Sequence, residues 1–531
     1  MTQYLLLVSI ICILCIIAGN LSYRVGVPSL LFFIILGMAF GSDGIFRISF
    51  GNFALAEQIC SVALIFIMFY GGFGTNWFVA KPVASKAILL STAGVILTAV
   101  FTGIFCFLVL KTSLLEGLLI GSVVASTDAA SVFSILKAKK LNLADGMGSL
   151  LELESGSNDP MSYMLTTILL SLMAGQGTAS IPLMFLSQIF FGLLFGFLFG
   201  KLSVLILQKI PMRSGEMIPI LVMALALMTY SVSSGLGGNG FLSVYIAGII
   251  LGNSQIRSKV ELVHFFDGIT GMMQIILFFL LGLLSFPSQI PPLFLPALGI
   301  FLFMLFAGRP LAVWLLLRPF RVPAGQLLLI SWAGLRGAAS IVFAIYTVIS
   351  PAGLENDIFH IVFCICLLSV ALQGSLLPFM AEKLNVISTT DNISKTFNDY
   401  QEDQSIHLSE IRLPDTHPWN HQTLRDIVFP NGALAVLLKR GGQSLIPNGD
   451  TVVLPGDTLI LNIPAYKDDT GIPLKEVEIG TRHPWINKTF SDLSLPKGSL
   501  AVLIKRKDAT LIPTGDTRIH QNDIIILCDQ G

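Results

Sequence analysis

The chain has 531 residues, of which 54% are hydrophobic and only 12% charged, with a mean hydropathy of +0.79; this excludes an ordinary soluble globule and makes the bilayer the main solvent. Its 32 basic and 32 acidic side chains cancel, so no net field points to nucleic acid and the positive charges matter by placement. Cys12 and Cys15 form a C-x-x-C inside the first apolar run, where a redox or zinc site lacks partners and water.

A hydrocarbon core about 30 Å thick needs roughly 20 apolar residues per helix. That ruler places spans near 3–20, 27–41, 56–74, 84–110, 114–137, 147–173, 181–208, 216–234, 241–254, 264–286, 292–316, 326–349 and 356–383. No basic residue precedes the first run, which is read as a span and not as a cleaved signal. Alternate loops carry Arg24; Lys81 and Lys86; Lys137, Lys139 and Lys140; Lys209 and Arg213; Arg257 and Lys259; Arg318 and Arg321; and Lys383. The intervening loops offer little beyond Arg47 and Lys111, so the expected N-terminus is outside and the C-terminus cytoplasmic. Thirteen spans divide as six, one linking span and six, which run in opposite directions and predict inverted repeats with a site at the midplane. The fifth span of each half holds a helix-weakening cluster, Ser126-Thr127-Asp128 and Gly334-Leu335-Arg336-Gly337.

Residues 1–385 form the expected membrane domain and the polar stretch 386–405 a linker. Two β-rich units, 406–465 and 472–531, follow as a tandem repeat: His417-Pro418-Trp419, Leu445-Ile446-Pro447 and Gly449-Asp450-Thr451 all return about 66 residues further on.

Ionisable residues in mid-span are functional candidates by default, and Asp128, Glu154, Asp159 and Arg336 qualify. Asp159 lies about 18 Å into the sixth span at about 1.5 Å per residue, and Pro160 loosens the helix beside it. A carboxyl in low dielectric keeps its proton to higher pH, so proton and cation compete for one site, and Asp159 is assigned that exchange. Asp128, Thr127 and Ser126 supply oxygens that suit a hard alkali cation. Glu154 and Asn158, four apart, share a helix face, whereas Glu154 and Asp159 point apart. Arg336 requires a buried anion, and Glu154 is expected to pair with it. Asn158 is counted with Asp159 among the ion- and proton-binding residues, and as a neutral neighbour it leaves one titrating carboxylate, which suits electroneutral exchange. Arg309-Pro310 is read as a snorkelling or capping group near a span end.

The runs Ser126-Thr127-Asp128-Ala129-Ala130, Glu154-Ser155-Gly156-Ser157-Asn158-Asp159 and Gly334-Leu335-Arg336-Gly337-Ala338 resemble the sodium/proton exchanger branch of the cation:proton antiporters, the branch with Asn-Asp, over essentially all of 1–385. The resemblance implies inverted repeats with discontinuous crossed helices, a homodimer in a bacterial inner membrane, and elevator-like movement. It implies that Asp159 binds the transported alkali cation with Asp128, Thr127 and Ser155, and that Glu154 pairs with Arg336. The tail repeats resemble the C-terminal subdomain of potassium-conductance regulators (TrkA-C-like), which favours K⁺ over Na⁺ and implies a nucleotide effector on the tail. The expected fold is therefore a multi-span α-helical membrane protein of about 13 spans with small α+β, β-rich cytoplasmic domains. The expected function is secondary exchange of a monovalent cation for H⁺, with no resident cofactor and no enzymatic step. A ligand-gated cation channel is the alternative; a membrane-embedded enzyme finds no H-E-x-x-H or similar cluster to support it.

Overall fold

The computed structural model describes residues 2–25, 28–139, 141, 143–175, 181–209, 217–256, 259–387, 407–415, 417–429, 433–441, 443–463, 474–480, 483–493, 499–506, 509–511, 513–521 and 523–529. Contacts divide the chain into two units, Met1–Gln401 and Glu402–Gly531. Apart from 386 and 387, the expected linker lies outside the described residues.

The first unit is helical. Its segments are α1 (Thr2–Val25), α2 (Ser29–Phe40), α3 (Phe53–Gly74), α4 (Ala84–Leu110), α5a (Leu114–Val124), α5b (Ala129–Ala138), α6 (Met147–Met173) and α7 (Ile181–Lys209). They continue as α8 (Met217–Gly235), α9 (Gly240–Gly252), α10 (Lys259–Leu284), α11 (Pro287–Phe320), α12a (Ala324–Trp332), α12b (Ala338–Ile349) and α13 (Ile358–Lys383). Every expected span falls on a helix or a helix pair. Among the described residues, however, seven helices are long and apolar enough to cross a membrane, or eight if the pair α5a and α5b, bent by 40°, is one span. The apolar stretches of α1, α2, α9 and α12b run only 10–17 residues, so length and composition support seven or eight crossings where the sequence predicted 13.

Small residues bring these helices together. On α9, a Cβ at Gly248 would stand 2.4 Å from the Phe69 carbonyl of α3 and one at Gly252 2.0 Å from that of Phe73. Backbones thus touch where lipid offers helices no hydrophobic reason to associate. Asn52 and Asn239 cap α3 and α9, each accepting an amide proton three residues on at 3.0 Å. The two helices expected to be interrupted are broken: α5 at 125–128 and α12 at 333–337.

The second unit holds two antiparallel sheets of one design. Strands β1 (His407–Arg412), β2 (Leu434–Arg440), β3 (Gln443–Leu445) and β4 (Thr458–Ile463) pair in the order β1-β4-β2-β3. Strands β5 (Leu474–Glu478), β6 (Ser499–Arg506), β7 (Ala509–Leu511) and β8 (Ile524–Asp529) pair as β5-β8-β6-β7. Both sheets shift register at equivalent places, Ala435/Leu437 and Ala501/Leu503. In the first, Arg440 forks onto buried Asp457 at 2.8 and 2.6 Å; in the second, Arg506 forks onto buried Asp523 at 2.8 and 2.7 Å. The Arg440 hydrogen bonds hold the Asp457 carboxyl below the usual carboxylate range. At Asp523 burial pushes the other way, but the Arg506 side chain and the His520 amide outweigh it and the carboxyl is again lowered.

Candidate ion-binding site

The two breaks meet. The Asp128 amide donates to the Leu335 carbonyl at 2.8 Å, and each break supplies what the other's helix ends lack. The last carbonyls of a helix have no partner of their own; at the end of α5a those of Ala125 and Ser126 accept from the Arg336 guanidinium at 2.8 and 2.9 Å. At the start of α5b, Asp128 accepts from the Ser131 amide at 3.1 Å and from its hydroxyl at 2.6 Å. Cation and carboxylate thus sit at the helix ends whose partial charges they oppose. Gly337 is required here, because a Cβ would lie 2.4 Å from an Asp128 oxygen. From α13, Ser369 accepts the Arg336 amide at 3.0 Å and donates to Gln373 at 2.9 Å.

Helix α6 lies against this contact. The Ser126 hydroxyl donates to Asp159. Ser155 donates to the Thr127 carbonyl at 2.7 Å and accepts the Ala129 amide at 2.9 Å, so one hydroxyl spans the break. The Asn158 amide donates to the Thr127 hydroxyl and, at 3.3 Å, to Glu154. Asn158 is fully buried, so it braces Thr127 and Glu154 from behind the site.

The expected Glu154–Arg336 pair is replaced. Glu154 accepts from both terminal nitrogens of Arg309, each at 3.2 Å, in an ion pair buried on both sides. Arg336 is committed instead to the orphaned carbonyls of α5a. Arg309 follows a π-helical turn, Met304–Gly308, and packs so closely on the second break that a Cβ at Gly334 would fall 2.1 Å from its Nε. From sequence Arg309 reads as a snorkelling or capping group, because it stands near an expected span end.

A cavity of about 480 Å³ reaches this place, with Asp128, Asp159, Ser155, Glu152 and Asp267 on its wall. Asp128 and Asp159 stay partly accessible there. Asp267 accepts from the Tyr70 hydroxyl at 3.3 Å. Glu152 and Asp267 were missed because each lies within a few residues of an expected span end; their helical positions, five residues past Met147 and eight past Lys259, would have found them. Among the described residues, no group of three or more His, Cys, Asp or Glu side chains is arranged to hold a metal ion.

A family model described as "Sodium/hydrogen exchanger, transmembrane" matches residues 8–383, and a TrkA-C domain model matches 408–464 and 474–528. The K(+)/H(+) antiporter NhaP of Alkalimonas amylolytica is 34% identical over 463 residues, 86% of this chain and 80% of its own. The K(+)/H(+) antiporter NhaP2 of Shewanella oneidensis is 33% identical over 451 residues, 84% of this chain and 78% of its own. In fold, the sodium proton antiporter MjNhaP1 of Methanocaldococcus jannaschii superposes with a TM-score of 0.63 at 22% identity, over 72% of this chain and 99% of that one. On these matches the chain belongs to the sodium/hydrogen exchanger family and carries two TrkA-C domains in its C-terminal part.

Proposed function

We propose that this protein is a secondary transporter that exchanges K⁺ for H⁺, with Na⁺ as the substrate variant, through the single carboxylate Asp159. The observation that carries the reading is the position of Asp159: it stands on the cavity wall beside both broken helices, held by the Ser126 hydroxyl. No ion pair among the described residues occupies it. A proton or a cation neutralises it equally well, so binding one means releasing the other. Asp128 offers a second oxygen-rich face, while Thr127, Ser155 and Asn158 hold the unwound segment open. With Glu154 committed to Arg309, one proton exchanges for one cation and the cycle is electroneutral.

K⁺ is favoured because the NhaP and NhaP2 relatives, 32–34% identical over most of this chain, are named K(+)/H(+) antiporters. The proposal extends to about 13 crossings in inverted repeats, an elevator-like alternation, a homodimer in a bacterial inner membrane with the N-terminus outside, and domain limits at 1–385, 406–465 and 472–531. The tail regulates exchange, and a nucleotide is its proposed effector. A channel is disfavoured by the aromatic packing beyond Asp159: Tyr163, one turn along α6, meets Phe241, Phe343 and Tyr346 at ring separations of 5.1, 5.8 and 5.6 Å.

The test is cation-evoked proton movement in proteoliposomes with K⁺, Na⁺ and Li⁺, with and without an ionophore that clamps the membrane potential. Exchange that is insensitive to the clamp and strongest with K⁺ supports the reading. Cation flux without proton countermovement contradicts it.

A further inference from the structure

The cavity ends at Asp159. Helix α3 contributes to its wall from its C-terminal half, through Leu64, Met68 and Tyr70 among others, and α6 from Glu152 to Asp159. Past that level the two helices continue into the aromatic seal, and on this closed side α3 carries one more carboxylate, Glu57, about 10 Å beyond Leu64 at 1.5 Å per residue. Glu57 is partly accessible. The Ser61 hydroxyl donates to it at 2.8 Å, so the contact of 3.0 Å between Ser61 and Tyr346 is made with the Tyr346 hydroxyl as donor. Tyr346 belongs to α12b, the half-helix that leaves the second break, and its ring lies edge-on to Tyr163, one turn from Asp159. Hydrogen bonds thus run from Tyr346 through Ser61 to a partly accessible carboxylate, and the ring contact continues to the helix that bears Asp159. Among the described residues no ion pair involves Glu57.

An exchanger must load Asp159 from both faces. Glu152 and Asp267 line the face that is open; the closed face has Glu57. A carboxylate within a membrane helix is retained when it serves a path for ions. We propose that Glu57 is the outer staging residue of this exchanger: it holds an arriving monovalent cation, or a proton, at the face opposite the cavity and delivers it towards Asp159 when the seal of Tyr163, Phe241 and Phe343 parts. Ser61 and Tyr346 are positioning residues that fix the carboxylate and tie it to α12b. This assignment rests on the exchange reading of Asp159 given above.

The experiment measures K⁺-dependent exchange in right-side-out and everted membrane vesicles, so that K⁺ is presented to one face at a time, for wild type, Glu57→Gln, Glu57→Asp and Tyr346→Phe. Glu57→Gln is expected to raise the K⁺ concentration for half-maximal exchange about tenfold at the Glu57 face, as loss of a local attracting charge does. The maximal rate and the value at the cavity face stay unchanged. Glu57→Asp restores the wild-type value, and Tyr346→Phe shifts the same face in the same direction. A Glu57→Gln protein that matches wild type at both faces, or is impaired equally at both, overturns the staging role while leaving Asp159 as the exchange residue. Wild-type vesicles that exchange no cation for protons overturn the functional reading, and the staging role with it.

Discussion

Arg309 and Glu154 form a buried ion pair in which both terminal guanidinium nitrogens reach the carboxylate at 3.2 Å. Removing one member of such a pair leaves the other charged and dry, at a cost of about 3–5 kcal/mol, whereas replacing both by apolar residues of similar volume is far milder. Arg309→Met and Glu154→Leu are therefore each expected to lower the thermal midpoint of the detergent-solubilised protein sharply, and the double substitution to recover much of the loss. Additive losses would contradict the pairing.

Gly337 lies where a Cβ would stand 2.4 Å from the Asp128 carboxylate, whereas at Gly299 nothing lies within 4 Å. Gly337→Ala is expected to abolish exchange by displacing Asp128 from the start of α5b, while Gly299→Ala exchanges like wild type. Transport assays on protein of matched abundance check both.

Asn158→Asp would replace the amide that donates to Thr127 and Glu154 with a second carboxylate facing Glu154. From sequence, the neutral residue at 158 is what suits electroneutral exchange. With Asn158 fully buried, the expected outcome is a less stable protein whose residual exchange remains insensitive to membrane potential. A potential-dependent exchange rate would contradict this.

In the tail, Asp457 and Asp523 are both held below the usual carboxylate range. A lowered carboxyl stabilises the fold above the unfolded value of about 3.9 and loses that contribution as pH falls through the folded value. Hydrogen exchange at the β4 and β8 amides of the full-length protein is therefore expected to be slow and flat from pH 7 to about pH 4, once corrected for intrinsic rates, and to rise below it. In Asp457→Asn the protection of β4 should be weaker at neutral pH, with β8 unaffected.

Much of the fold was legible because lipid enforces it. Apolar runs marked the helices, and Ser-Thr-Asp and Gly-Leu-Arg-Gly marked both breaks, since polar and flexible residues in mid-span weaken a helix. The tail repeat was plain in His-Pro-Trp and Gly-Asp-Thr. The partner of Glu154 was not legible. Two arginines stood within reach, and the choice turned on which of them met the orphaned carbonyls of α5a, a matter of three-dimensional crossing. Glu57, Glu152 and Asp267 were hidden by span boundaries: a carboxylate drawn at the end of a span looks interfacial, and only the helix geometry shows that α3 begins at Phe53, so that Glu57 lies a turn inside.

The central claim is that one carboxylate serves proton and cation in turn, and the most direct test is proton release on addition of K⁺ to the weakly buffered, solubilised protein. Wild type is expected to release protons in a saturable manner, and Asp159→Asn to release none while keeping its thermal stability. If Asp159→Asn releases protons as wild type does, another group carries the exchange and the account of this site is wrong.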